Sequence, residues 1–201
     1  MILGIEGPVL AGKSSLVGTL AEELITQGID CVASPCYEVA AKQLGRAIPA
    51  AVPATPDEQL RALQLLLDID EARRPAPPPA LLVLDGTAWS LQATTHALLV
   101  TGAWGDLYFE IDPSTARAVE GAKPDVLVYL DVPWRVQMKR VATRRVPRAP
   151  HLDPDFSAAF RSFFEQTVRQ HQALWLDGTN PVQSNTAAVL DYLQPRPGGV
   201  R

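Results

Sequence analysis

The chain has 201 residues, 47% of them hydrophobic and 20% charged, with a formal net charge of −4. That length suits one domain with a substantial core, and the composition is that of an ordinary soluble globular protein. A slightly acidic chain is not expected to bind nucleic acid, and no apolar run approaches the roughly 20 residues that would span a bilayer.

Met1 leads directly into an apolar strand with no basic segment before it, so no secretory signal is read and the cytoplasm is the expected compartment. That first strand, Ile2–Glu6, runs into Gly7-Pro8-Val9-Leu10-Ala11-Gly12-Lys13-Ser14, and a helical pattern follows over residues 14–27. Glycine, four residues, then Gly-Lys-Ser between a strand and a helix is a complete phosphate-binding loop. The loop N–H groups, from Gly7 through Leu10, Ala11 and Gly12 to Ser15, are expected to point at phosphate oxygens, aided by the helix N-terminus. Lys13 is expected to reach the terminal phosphates and Ser14 to sit on Mg²⁺. The chain therefore reads as a binder of a nucleoside triphosphate.

The second strand is expected at 29–34, where Cys31 and Cys36 are too far apart for a redox Cys-x-x-Cys and read as reduced thiols. An Ala- and Pro-rich loop over 45–55 precedes a helix at 57–74, which a proline run at 75–79 terminates. The third strand, Leu81–Asp85, ends in an acid, as a Mg²⁺-organising carboxylate requires. A helix follows at Ala88–Val100; its apolar character makes it a candidate dimer surface and equally a core helix. The fourth strand, Val126–Asp131, also ends in an acid. There Val132-Pro133 opens a helix expected at 133–145, so Asp131 reads as its N-cap and Asp85 as the metal partner. Helices are expected at 155–171 and 186–193, with a last strand at 173–177 between them and a frayed tail at 195–201. Strand alternating with helix predicts an α/β domain over 1–194, a parallel sheet layered between helices.

Neither acidic strand end carries Asp-Glu, and no Asn-Lys-x-Asp is present, which disfavours a hydrolytic motor or a guanine-reading switch. Lys139, Arg140, Arg144, Arg145, Arg148 and His151 crowd into a short stretch of an otherwise acidic chain. Arg140, Arg144 and Arg148 are expected to stabilise a transferring phosphoryl group, with a lid at about 144–154. A solvated basic face is the alternative.

With these elements in order, the chain resembles the thymidylate kinase-like group of phosphate-loop kinases, close to the deoxynucleoside kinases. The matching segments are Ile5-Glu6-Gly7 with Gly12-Lys13-Ser14-Ser15-Leu16, then Lys123 through Pro133 followed by Arg140, and Trp175-Leu176-Asp177-Gly178. The resemblance implies a five-stranded parallel sheet in the order 2-3-1-4-5, ATP and Mg²⁺ as cofactors, and Gly178 in the segment beside adenine. The departures concern the acceptor. Where the family's loop carries an Asp, this chain has Val9-Leu10; where its third strand ends Asp-Arg, this chain has Asp85-Gly86. Glu71 stands where the family has an Arg for the acceptor phosphate, with Arg73 and Arg117 as candidate replacements, and Ala33-Ser34-Pro35 replaces Arg-Glu-Pro.

A monophosphate carries about two negative charges and needs cationic partners. Their loss favours an uncharged hydroxyl acceptor, with Asp85 or Glu38 as the proton acceptor and Tyr37 lining the pocket. Trp89 and Trp104 could stack on a ring or pack in the core, His96 reads as a core histidine, and Glu6 as a structural carboxylate holding loop N–H groups. Three readings follow: a kinase of a small nucleoside-like acceptor, a nucleoside monophosphate kinase, or a nucleotide-binding regulatory protein.

Overall fold

The computed structural model describes residues 1–48, 55–102, 113–145, 150–171 and 173–194. Arg148, Trp104, part of the expected 45–55 loop and the tail at 195–201 lie outside the described residues. In chain order the elements are β1 (Ile2–Glu6), α1 (Lys13–Thr26), β2 (Cys31–Ser34), α2 (Tyr37–Gln43), α3 (Pro56–Ala72), β3 (Leu81–Asp85) and α4 (Ala88–Val100). Then come α5 (Pro113–Gly121), β4 (Val126–Asp131), α6 (Trp134–Arg144), a 3₁₀ turn (Pro150–Leu152), α7 (Pro154–His171), β5 (Leu174–Asp177) and α8 (Val182–Leu193).

The five strands form one parallel sheet in the order β2-β3-β1-β4-β5, the order expected. Register sets Ile5 beside Asp85 on one flank of β1 and beside Val128 on the other. The β1 end and the loop after it therefore stand between the carboxyl ends of β3 and β4, where the strand order reverses and ligands bind in open α/β sheets.

Period-2 alternation divides the core. Val126, Val128 and Leu130 of β4 pack with α1 residues such as Leu16 and Leu20 and with Val189 of α8. Leu127 and Tyr129 face the other way, against Trp89 and Ala93 of α4 and Phe164 of α7. Tyr129 and Phe164 are fully buried, and the Tyr129 ring lies 4.7 Å from Phe164 and 4.4 Å from Trp175. Sheet between two helical layers is the resulting three-layer fold. Among the described residues no helix is long and apolar enough to cross a membrane.

Side-chain hydrogen bonds mark the starts of α3 and α7. Thr55 accepts a hydrogen bond from the Glu58 amide at 3.2 Å ahead of Pro56, and Asp153 accepts from the Asp155 amide at 2.9 Å. Two short helices, α2 and α5, have no counterpart among the expected elements, and α8 begins at Val182, ahead of the expected 186. The N-cap expectation for Asp131 is corrected: the α6 N-cap is Pro133. Two residues upstream, the Asp131 carboxylate instead pairs with the Arg161 guanidinium of α7 at 2.9 Å.

Candidate functional site

The loop after β1 is shaped by backbone that most residues cannot adopt. Gly7 has φ 146°, and a Cβ there would stand 2.4 Å from the Leu130 carbonyl oxygen, so only glycine fits. Leu10 holds φ 63°, an uncommon conformation for a branched residue. Arg140 fastens that turn: its Nη1 donates to the carbonyls of Leu10 at 2.9 Å and Ala11 at 2.8 Å. Its Nη2 donates to the Gly178 carbonyl at 2.8 Å, joining the loop to the β5–α8 turn. Gly178 is also required sterically, since a Cβ would meet Val132 Cγ2 at 2.6 Å and the Asp131 carbonyl oxygen at 2.9 Å.

Lys13 opens α1 and folds back over the loop, its Nζ donating to the carbonyls of Gly7 at 2.8 Å and Pro8 at 3.0 Å. Ser14 Oγ donates to Asp85 Oδ2 at 2.5 Å. Asp85 is buried, and its Oδ1 has no hydrogen-bond partner. A buried carboxylate oxygen left without a partner is costly unless something else meets it. The Asp85–Ser14 pair thus offers one carboxylate and one hydroxyl at the mouth of the loop, the small protein ligand set that Mg²⁺ uses with phosphates.

A pocket of about 260 Å³ lies on the Arg140 side of the loop. It joins the expected residues Leu10, Ala11, Gly12, Ser15, Arg140, Arg144 and Gly178, and adds Asn180 and Asn185, which sequence reading did not single out. Asn185 is buried and donates to the Asp177 carbonyl at 3.0 Å, holding the β5–α8 turn closed.

Glu6, also fully buried, does hold loop N–H groups, but those of the segment that starts α4. Its Oε1 accepts from Thr87 N and Thr87 Oγ1, both at 2.7 Å, and from Ser90 N at 3.2 Å, while Oε2 accepts from Ser90 Oγ. Burial raises its pKa above the usual carboxylate value, opposed by the hydrogen bonds from Ser90 and Thr87 and by the Lys13 charge.

The ends of β2 and β3 are tied together by a buried ionic network. The Arg73 guanidinium uses all five of its N–H groups. Nε and Nη2 donate to Asp70 Oδ1 at 3.1 and 2.7 Å, Nη1 to the carbonyls of Pro35 at 3.1 Å and Asp85 at 3.3 Å, and Nη2 also to the Gly86 carbonyl. The Tyr37 ring lies 4.1 Å beneath it, and the Tyr37 hydroxyl donates to Asp70 at 3.1 Å. Arg74 completes Asp70 at 2.7 Å. Burial, first of all, pushes the Tyr37 phenol well above its ordinary pKa, so it remains protonated. Arg73 consequently has no N–H left for a ligand.

The remaining expected residues are dispersed. Glu38 is exposed on α2, Glu71 and Arg117 are exposed on α3 and α5, and Arg144 borders the Arg140 pocket from an exposed position. Trp89 is buried against Phe163 with Lys123 above its ring, and the His96 ring lies tilted against the same Phe163. On the opposite side of the loop a second pocket, about 250 Å³, is lined by Gly7, Pro8, Val9 and Lys13 with residues of α4, the 3₁₀ turn and α7.

No protein-family model matches the chain, and no curated protein matches it in sequence. Solved structures do match its fold. A deoxyadenosine kinase from M. mycoides with bound dATP aligns with a TM-score of 0.63 at 14% identity, covering 96% of this chain and 99% of that one. Structures of deoxyadenosine kinase from M. mycoides with bound dCTP, and with dCMP and a flexible dCDP, align at TM-scores of 0.62 and 0.61. Both are 14% identical to this chain, covering 96% of it and 98% of theirs. The chain thus has the fold of the phosphate-loop nucleoside and deoxynucleoside kinases at low sequence identity.

Proposed function

We propose that the protein is an ATP- and Mg²⁺-dependent kinase that transfers the γ-phosphoryl group to a hydroxyl of a small uncharged acceptor, a nucleoside or nucleoside-like alcohol. The observation that carries this reading is the 2.5 Å hydrogen bond from Ser14 to buried Asp85 beside the loop lysine. Ser14 and Asp85 would hold Mg²⁺, and the unpartnered Asp85 Oδ1 fits that role. When bound, the ion would neutralise charge building on the phosphate oxygens.

The chain's own groups do the rest. Loop N–H groups cradle the phosphates, and Lys13 leaves the Gly7 and Pro8 carbonyls for the terminal phosphates. The donor base lies in the pocket bordered by Arg140, Gly178 and Asn180. Arg144 and Arg148 close over the triphosphate as part of a lid at about 144–154, within a kinase domain of residues 1–194. Closure excludes water and favours transfer over hydrolysis.

The uncharged acceptor is supported by Arg73, whose N–H groups are all spent on protein acceptors. The deoxynucleoside kinases of the same fold extend the reading to nucleosides. Replacement Lys13→Ala should lower acceptor-dependent ADP formation by about 10³-fold while circular dichroism and the melting temperature stay close to wild type. Transfer retained in that variant would contradict the reading.

A further inference from the structure

The pocket on the far side of the loop contains chemistry that donor binding does not use. Its wall brings together Val9 and Lys13 of the loop, Thr94 of α4, His151 of the 3₁₀ turn, and Phe156 and Phe160 of α7. Lys13, which the proposed function assigns to the terminal phosphates, borders the same cavity as His151, so an acceptor held there would lie on the phosphate side of the loop. The rest of the wall is largely apolar and suits the ring of a neutral alcohol.

We infer that His151 orients the acceptor hydroxyl in this pocket and takes its proton during phosphoryl transfer; the inference rests on the kinase reading above. Neither carboxylate expected in that role borders the cavity: Asp85 is bonded to Ser14, and Glu38 is exposed on α2. The groups facing His151 leave it neutral. Burial and then the Lys13 charge push its pKa below the ordinary histidine value. Ser90 and Thr94 from α4 and Ser157 from α7 carry no charge, and the Asp153 carboxylate, two residues along the chain, is exposed to solvent, does not line the pocket and accepts from the amides of Asp155 and Phe156. A neutral imidazole has the free electron pair that a proton acceptor needs. Binding of the polyanionic triphosphate offsets the Lys13 charge and draws the His151 pKa upward, which strengthens it as a base.

In the step, the acceptor oxygen bonds to the γ-phosphorus as the bond from that phosphorus to the β,γ-bridging oxygen breaks. The electron pair leaves with the nucleoside diphosphate, and the hydroxyl proton passes to the imidazole and later to solvent.

Two experiments on the full chain test this. Imidazole proton NMR follows its three histidines over about pH 5 to 8, with and without β,γ-methylene-ATP, and His151→Gln identifies the His151 signal. A His151 midpoint below that of an ordinary histidine, rising on addition of the analogue, is expected; a midpoint that the analogue does not move overturns the inference. The second experiment measures MgATP-dependent phosphorylation of a panel of nucleosides and 2′-deoxynucleosides against pH. His151→Gln should lower kcat by about 10²-fold or more and abolish the acidic limb of the kcat/KM profile, with the affinity for a fluorescent ATP analogue unchanged. Wild-type turnover that persists in His151→Gln with the same acidic limb overturns the role of His151 and leaves the kinase reading standing. Absence of turnover in the wild type with every member of the panel overturns both.

Discussion

Around the phosphate loop the chain keeps polar groups that a ligand can reach, whereas at the ends of β2 and β3 it consumes them. Lys13 is bonded to two carbonyls that a phosphate can replace, Asp85 has one oxygen without a partner, and Arg144 is exposed beside the pocket. Arg73, on the other side, is enclosed by Asp70, Tyr37 and three carbonyls. A guanidinium with every N–H satisfied at almost no exposure braces the backbone and cannot turn to meet a substrate. The same residue type therefore serves opposite ends, and the difference lies in how many of its donors the protein itself uses.

That contrast can be broken experimentally. The largest effect is expected at Arg73, whose side chain is only 2% exposed and pairs with Asp70 at 1%. Removing one partner of a buried pair costs about 3–5 kcal/mol, and because Arg74 still holds Asp70 the lower figure, about 3 kcal/mol, is expected for Arg73→Ala. Urea unfolding checks it. A variant of wild-type stability that instead loses affinity for an acceptor would return Arg73 to substrate binding. A smaller loss is expected from Gly178→Ala, which must shift Val132 and the Asp131 backbone and so displace the carbonyl that Arg140 holds. About 1–3 kcal/mol of stability should be lost, along with affinity for an ATP analogue, and calorimetry measures both. Unchanged nucleotide affinity would separate the Arg140–Gly178 tie from donor binding.

Much of the frame was legible because it depends on local pattern. Three strands, Ile2–Glu6, Leu81–Asp85 and Val126–Asp131, and the helix Ala88–Val100 fall where their apolar pattern and end residues put them. Helices α2 and α5 were missed, since seven and nine residues give too few turns for a periodicity to stand out. The pairing of Asp70 with Arg73 and Arg74 could be read from their spacing on a helix, but not its burial. That burial comes from Pro35, Asp85 and Gly86, carbonyls on other elements. Asp131 was misread for a similar reason: nothing in its neighbourhood announces Arg161, which folding brings in from α7. His151 was visible only as a member of a basic stretch, and the wall it shares with Lys13 required the fold.

The central claim is that the acceptor is uncharged, because Arg73, a cation at the ends of β2 and β3, is already spent. Its most direct test is MgATP-dependent ADP formation measured side by side with nucleosides and with the matching nucleoside monophosphates. The account predicts turnover with a neutral nucleoside and little with its monophosphate; efficient turnover of the monophosphate over the nucleoside would contradict it.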